Sequence, residues 1–470
     1  MSPILVALLM VASSSAGGGA PPSFIVFVAD DMAWNDAGAY GHPHIRTPNI
    51  DRLARDGMRF DRAFLTTSSC SPSRSSILTG RYPHSTGAAE LHLPLPASQV
   101  IVTEPLRDLG YYTAAAGKWH LGDATRPKFD LVVGGGAGGS EEWSRVLRER
   151  PRDQPFFFWF AANDPHRDYE EGIIAVPHGD DDVVVPPFLP DNAATRADLR
   201  LYYDEIARLD GAVGHVLAEL EQQGAAENTF VLFLSDNGRP FPRSKTTLYD
   251  SGIRTPFIVR LPGVAEAGST TASLISAVDI APTILDLAGL DPLDSHQGRS
   301  FAGILESPRR EHREHVFAER NWHDYAARAR SVRTKRHLYV RNEYNDLSCN
   351  PPRDAVRSIT YRAMVHLHRS GQLPPEQSTT FLSPRPEEEL YDLEFDAFSL
   401  HNLASLPVHA ATLAELRAVL GEWQKDTDDV APATRRPDLF DRTSGEWIEE
   451  RRIEWMRQRE QAAAARGASP

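Results

Sequence analysis

Cysteine is nearly absent from this sequence: Cys70 and Cys349 are the two among 470 residues. Two thiols give no disulfide framework, so a sufficient apolar core must hold the chain. Positive charge is also in deficit. Lys and Arg number 50 against 64 Asp and Glu, a formal charge of −14. That balance argues against nucleic acid as a partner, and a polyanionic substrate would need a locally basic pocket. Long apolar runs are missing too, so no membrane span is expected. The short run from Ile4 to Ala12, followed by Ser13-Ser14-Ser15-Ala16, reads as a signal peptide within residues 1–20. It lacks a basic n-region, but its length and small-residue end predict export to a periplasmic, secreted or lysosome-like compartment. No internal repeat is visible. With 41% hydrophobic and 24% charged residues, the composition excludes wholesale disorder.

What the chain does have is a set of continuous apolar runs that end in polar residues. Ser23 to Ala29 ends in Asp30-Asp31, Phe156 to Ala162 in Asn163-Asp164-Pro165-His166-Arg167, and Thr229 to Ser235 in Asp236-Asn237-Gly238. Such runs mark parallel strands buried on both faces, and α/β sheets place their sites at the ends of those strands. Adjacent carboxylates are costly to assemble without a cation between them. Asp30, Asp31, Asp236 and Asn237 offer hard oxygen ligands, which suit Ca2+ or Mg2+ and not zinc. His166 and Arg167 are placed for an acid and an anion contact.

The run Ser68-Ser69-Cys70-Ser71-Pro72-Ser73-Arg74, continuing to Thr79-Gly80, sets one cysteine among hydroxyls. Ser71-Pro72 predicts a helix start, with Cys70 at the N-terminal mouth and Arg74 about one turn below. Gly110 to His120 predicts a strand entering a glycine turn, with Lys118 and His120 on one side by period two. Lys245 follows the third acidic strand end. Gly134-Gly135-Gly136-Ala137-Gly138-Gly139 satisfies a dinucleotide fingerprint, but so many glycines read as a flexible loop first. Residues 193–223 predict one long amphipathic helix, and residues 331–341 an antiparallel hairpin. The texture changes near residue 315. This divides the chain into 21–314 and a smaller unit, 315–470, closed by a helix over 446–465 whose Trp447, Ile448, Trp455 and Met456 share a packing side.

The cysteine run and the run through Lys118 and His120 resemble the two signatures of the sulfatase family, and Glu387 to Leu403 resembles its C-terminal segment. The resemblance implies an alkaline-phosphatase-like α/β fold: a large mixed, mostly parallel sheet with a smaller C-terminal antiparallel subdomain. It implies that a maturation enzyme oxidises Cys70 to formylglycine, leaving Cys349 a buried, inert thiol. It further implies that Asp30, Asp31, Asp236, Asn237 and modified Cys70 hold the cation. Arg74, Lys118 and Lys245 would grip sulfate oxygens, and His166 or Lys245 would protonate the leaving group. His120 would take up a proton when sulfate is expelled. His92, Arg167, His323 and Asp324 would contact the sugar. Asp164 to Arg167, Val185 to Leu199 and Ser235 to Pro242 resemble the heparan N-sulfatase branch, so a sulfated glycan carrying glucosamine N-sulfate is the expected substrate. An O-sulfatase, or less readily a phosphoesterase of the same superfamily, is the alternative.

Overall fold

The three apolar runs become the three central strands of one sheet. The structure, a computed structural model, describes residues 21–457. The expected signal peptide and the far end of the terminal helix lie outside the described residues. Fourteen strands occur in the described chain: β1 Ser23–Ala29, β2 Met58–Phe60, β3 Ala63–Phe64, β4 Tyr112–Gly117, β5 Leu131–Val133, β6 Phe156–Ala161 and β7 Thr229–Ser235, then β8 Phe257–Arg260, β9 Ser269–Thr271, β10 Ile275–Ser276, β11 Val316–Arg320, β12 Ala329–Arg333, β13 His337–Asn342 and β14 Glu388–Asp392. The large sheet runs β5-β4-β6-β1-β7-β8-β2-β9, and a second sheet runs β11-β12-β13-β14. Within the large sheet β5, β4, β6, β1 and β7 are parallel, whereas β8 is antiparallel to both β7 and β2. The small sheet is antiparallel throughout, and it includes the expected hairpin as β12 and β13. This is the large mixed sheet with a separate antiparallel one that the sequence led us to expect.

Both faces of the central strands are buried, which explains why their sequences are continuous and not alternating. Phe24, Val26 and Val28 face one core with Leu232, Leu234, Ile77 and Leu78; Ile25 and Phe27 face another with Phe158, Phe160 and Leu199. The second core is roofed by the helix Ala193–Gln222, whose Asn192 cap accepts from Thr195 N at 3.0 Å. Among the described residues no helix is long and apolar enough to cross a membrane.

Register decides where the polar strand ends meet. Ala29 pairs with Ser235 and Val28 with Ala161, so the residues that follow emerge side by side. Asp236 N donates to Ala29 O at 3.1 Å and Asp30 N to Asp164 O at 2.9 Å. On the next strand Gly117 pairs with Ala161, and Lys118 N donates to Ala161 O at 2.8 Å. The glycine-rich loop after β5 is not a phosphate cradle. Its Gly136 and Gly138 amides donate to the Glu141 carboxylate at 2.8 and 3.0 Å, so they are already taken.

The small sheet is covered by the helix Ala410–Asp426, through Leu416, Leu420 and Trp423. Just past that helix, buried Asp429 accepts from Arg330 Nε at 2.6 Å, Arg330 Nη2 at 2.8 Å and Arg328 Nη2 at 3.0 Å. Cys349 is buried as expected, but among cations. Arg320 Nη1 donates to its sulfur at 2.7 Å, and Arg320 and Arg385 outweigh burial to leave the thiol below its ordinary pKa.

Gly117 ends β4 at φ 100°, and a Cβ there would lie 1.9 Å from Ala161 O and 2.3 Å from Gly139 O. Neither backbone oxygen can yield easily. Gly117→Ala is expected to lose at least about 1 kcal/mol of stability from the left-handed conformation alone, measured by urea unfolding.

Candidate active site

The helix Cys70–Thr79 begins two residues earlier than its proline suggests. Its N-cap is Ser69 and not Ser71, so Cys70 is the first helical residue and Pro72 the third. Proline is tolerated there because the first-turn amides have no intrahelical partners to lose. The expected hydroxyl cap is absent. Ser69 Oγ lies 2.7 Å from His323 Nδ1, and Ser71 Oγ accepts from His92 N at 2.9 Å. These two hydroxyls therefore bind neighbours from other segments and not their own helix.

Cys70 is buried, 2% exposed, with Sγ 3.6 Å from Asp30 Oδ1, 3.9 Å from Asp31 Oδ1 and 3.4 Å from Asn237 Nδ2. Burial pushes its thiol pKa far up. Each carboxylate around it is tied by one oxygen to a different cation. Arg74 Nε holds Asp236 Oδ2 at 2.7 Å, Lys245 Nζ holds Asp31 Oδ2 at 2.6 Å, and Lys118 Nζ pairs with Asp30 Oδ2. The other oxygens, the Oδ1 atoms, turn toward Cys70 and Asn237. Asn237 Nδ2 donates to Asp31 Oδ1 at 3.0 Å and Asp236 Oδ1 at 2.8 Å.

Those donors do not fully offset burial. Burial raises Asp31 well above its usual range, Lys245 opposes this, and neighbouring Asp30, Asp236 and Asp354 add to it. Burial likewise raises Asp236 despite Arg74. For Asp30, Lys118, His166, Arg74 and Lys245 together overcome burial and hold the carboxyl below its usual range. One ligand atom from each of Asp30, Asp31, Cys70 and Asp236 lies within 4.8 Å of the others, and Asn237 Oδ1 is buried without a hydrogen-bond partner. Turning that amide over would aim its oxygen into the group. Converging carboxylate oxygens with an orphaned amide oxygen fit a hard divalent cation.

Above this cluster opens a cavity of about 670 Å³. Lys118, His120, His166, Lys245, His323 and Asp324 line it together with Cys70. His120 Nε2 lies 2.8 Å from His92 Nδ1, and its Nδ1 is buried without a partner. Burial, then Lys118 and His92, push the His120 pKa well down, so the ring is neutral and able to accept a proton. His166 Nε2 lies 3.7 Å from Asp31 Oδ2 and 3.4 Å from Asp354 Oδ2. Burial and Lys245 bring its pKa to about 4. Asp324 is pushed up to about 7 by burial.

A family model described as Sulfatase matches residues 22–140 and 140–290. The chain belongs to the sulfatase family. A second model, described as N-sulphoglucosamine sulphohydrolase, C-terminal, matches residues 243–349. This sulfatase is 32% identical to human N-sulphoglucosamine sulphohydrolase over 467 residues, covering 86% of the chain and 90% of that protein. It is also 32% identical to an ulvan-active sulfatase of Formosa agariphila over 445 residues, covering 83% of the chain and 74% of the relative. A solved structure in complex with D-glucosamine-2-N,6-O-disulfate shares the fold, with TM-score 0.69 and 21% identity over 88% of this chain and 99% of that one. The sulfatase is thus a hydrolase of sulfate esters or sulfamates with the alkaline-phosphatase-like architecture.

Three sequence expectations need correction. Arg74 is fully buried and does not line the cavity. Its Nη1 donates to Lys118 O at 3.1 Å and braces the Lys118 turn from below, while its Nη2, 3.8 Å from Asp30 Oδ1, is buried without a hydrogen-bond partner. Arg167 is also occupied: Asp198 takes it at 2.6 and 2.9 Å and Pro240 O takes its Nε at 2.9 Å. Three of its five N–H donors are thereby engaged in holding the loop, and the side chain still lines the cavity. Lys118 and His120 do share the cavity, but through the Gly117 turn and a His120 φ of 51°, since β4 has already ended. Sequence reasoning missed Asp354, whose Oδ2 is buried without a hydrogen-bond partner 3.7 Å from Lys245 Nζ. Pro351-Pro352 before it breaks any periodic pattern, and no signal marked it.

Metal-free protein titrated with Ca2+ or Mg2+ is expected to unfold at a higher temperature, by about 2.7 kcal/mol at a hundredfold excess over the dissociation constant. Asp236→Asn is expected to lose most of that shift, read by calorimetry without any substrate.

Proposed function

We infer that the sulfatase removes sulfate from a sulfated glycan, and that this is the N-sulfate of a terminal glucosamine. The observation that carries the reading is the match of residues 243–349 to the C-terminal model of N-sulphoglucosamine sulphohydrolases, because that segment brings Lys245, His323 and Asp324 to the cavity. The equal identity to an ulvan-active sulfatase supports a second reading, an O-sulfate on another sugar. The apolar run near the start supports export.

In this reading Cys70, once oxidised to formylglycine, supplies a hydrated aldehyde whose hydroxyl attacks sulfur. A Ca2+ or Mg2+ ion held by Asp30, Asp31, Asp236 and Asn237 would neutralise sulfate oxygens and favour the ionised hydroxyl. The chain's own groups do the rest. Arg74, locked by Asp236 and Lys118 O, fixes the helix that carries Cys70. Lys118 and Lys245 line the cavity with their ammonium groups and offer donors to the anion, where rigid placement is worth most. His166 stands at the cavity wall between Asp31 and Asp354; burial and Lys245 hold its pKa near 4, so it serves a nitrogen leaving group by relaying a proton it takes up beside those carboxylates. Lys245, beside it, is the other group able to do so. Neutral His120, steered by His92, accepts the proton released when sulfate departs.

Mass spectrometry of a tryptic digest of active enzyme is expected to find an aldehyde at Cys70. Cys70→Ala is expected to lose at least about a thousandfold in kcat. Side-by-side kinetics on glucosamine N-sulfate and on 6-O-sulfated N-acetylglucosamine are expected to favour the N-sulfate by about a hundredfold in kcat/KM, since the two sulfates lie on different edges of the ring. Release from the 6-O-sulfate alone would overturn the substrate assignment and leave the sulfatase assignment standing.

A further inference from the structure

The cavity above Cys70 has a charged floor and an aromatic rim, and the two come from different parts of the chain. The floor is built by residues up to Asp324. The rim is built by Arg353, Arg357, Phe440, Trp447 and Trp455, beyond both segments that the family models match. Residues 446–465 were expected only to pack as a helix. The structure instead carries the chain across the cavity mouth before helix begins at 449.

This crossing is fixed by hydrogen bonds to the floor and its neighbours. Trp322 Nε1 donates to Pro437 O at 2.9 Å, Leu439 N to Asp324 O at 3.0 Å, and Ala326 N to Asp438 Oδ1 at 2.6 Å. Arg353 Nε donates to Gly445 O at 3.0 Å. The rings form one continuous surface: Phe440 and Trp447 have centroids 4.3 Å apart, and Trp447 and Trp455 5.3 Å. The Arg353 guanidinium lies 4.4 Å from the Phe440 centroid and 5.9 Å from that of Trp447.

The cations of the cavity fall into two groups. Lys118, Arg167 and Lys245 are each paired with a carboxylate. Arg353 makes no ion pair, and exposed Arg357 makes neither an ion pair nor a side-chain hydrogen bond among the described residues. In a chain of charge −14, two guanidinium groups without an ion pair at the mouth of the cavity stand out, the nearby Asp354 carboxylate being turned to His166 and Lys245. Aromatic rings take the apolar face of a ring-shaped ligand while leaving its polar edge wet. A guanidinium takes a planar carboxylate, or a sulfate, through two parallel bonds.

We propose that this rim binds the sugar next to the one losing sulfate, and that this neighbour is anionic, carrying a carboxylate or a sulfate ester. Its ring lies on Trp447 and Trp455, and its acidic group meets Arg357 with Arg353 beside it. The inference rests on the reading of the substrate as a sulfated glycan and extends it from one sugar to two.

The test compares kcat/KM for a sulfated glucosamine alone with that for the same sugar linked to a uronate, to a carboxyl-reduced uronate, and to a 2-O-sulfated, carboxyl-reduced one. The series is run with the N-sulfate and, in parallel, with the 6-O-sulfate, so the ratio is read whichever sulfate is removed. The uronate-linked substrate is expected to exceed the single sugar by about tenfold or more, the scale of one charge-assisted contact. Loss of that advantage on carboxyl reduction identifies the carboxylate. Its recovery with the 2-O-sulfate identifies the sulfate as an equal ligand. Arg357→Ala is expected to lower the ratio about tenfold and Arg357→Lys to restore part of it, while Trp447→Ala lowers it where Trp447→Phe does not. Equal kcat/KM for the single sugar and every two-sugar substrate overturns the inference, as does an Arg357→Ala enzyme with the wild-type ratio. Failure on the N-sulfate series with a normal ratio on the 6-O-sulfate series overturns the N-sulfate reading instead.

Discussion

The site depends on neutralising three carboxylates that the sheet forces together. Parallel pairing of β1 with β7 leaves no choice: once Ala29 is opposite Ser235, Asp30 and Asp236 must emerge as neighbours, and Asp31 follows. Three buried carboxylates at such distances would not stay ionised alone. Arg74, Lys118 and Lys245 answer them one apiece, each arriving from a separate stretch of chain. The helix of Arg74, the turn after β4 and the loop after β7 are therefore positioned by charge as much as by packing. Breaking one such pair leaves its partner buried and uncompensated, which is far costlier than never having formed it.

The same crowding accounts for the backbone. Asp31, His92, His120 and Asp324 hold φ values of 74°, 66°, 51° and 60°, a region that residues with a Cβ seldom occupy. Each such residue costs of order 1–3 kcal/mol and persists only where the surroundings over-determine it. Here the surroundings are the hydrogen bonds from Ser69 and Ser71, the His92–His120 contact and the cation pairs. Three of these residues, His92, His120 and Asp324, line the cavity.

How much of this was legible in the sequence depended on whether a residue sat on a regular element. Asp30, Asp31, Asp236 and Asn237 end strands whose unbroken apolar runs announce them, and Cys70 lies in a run dense enough in hydroxyls and proline to read directly. The large sheet, the hairpin of β12 and β13 and the long helix Ala193–Gln222 follow from period and burial in the same way. Arg74 and Arg167 show the limit. Sequence gave the right residues at the right end of the sheet, but a guanidinium's role depends on which carboxylate reaches it first, and Asp236 and Asp198 are distant in the chain. Arg353 and Asp354 belong to a short helix after two prolines, Arg357 caps its end, and Phe440 and Trp447 lie in irregular chain. Trp447 and Trp455 were read from periodicity as one packing side of a helix, but their place at the cavity mouth, beside Arg353 and Arg357, came from the structure alone.

The attachment of that last segment has its own consequence. Arg328 and Arg330 of the small sheet converge on Asp429, a single buried carboxylate just before the chain turns toward the cavity mouth. One well-seated clasp of this kind separates two kinds of evolutionary freedom. Substitutions upstream of it disturb a sheet and an ion cluster that many residues share, whereas the chain downstream meets the floor at a few points, Pro437, Asp438 and Leu439 among them. If the rim binds as proposed, a lineage could reshape the aromatic face that meets an outer sugar at Phe440, Trp447 and Trp455 and inherit the hydrolytic floor unchanged.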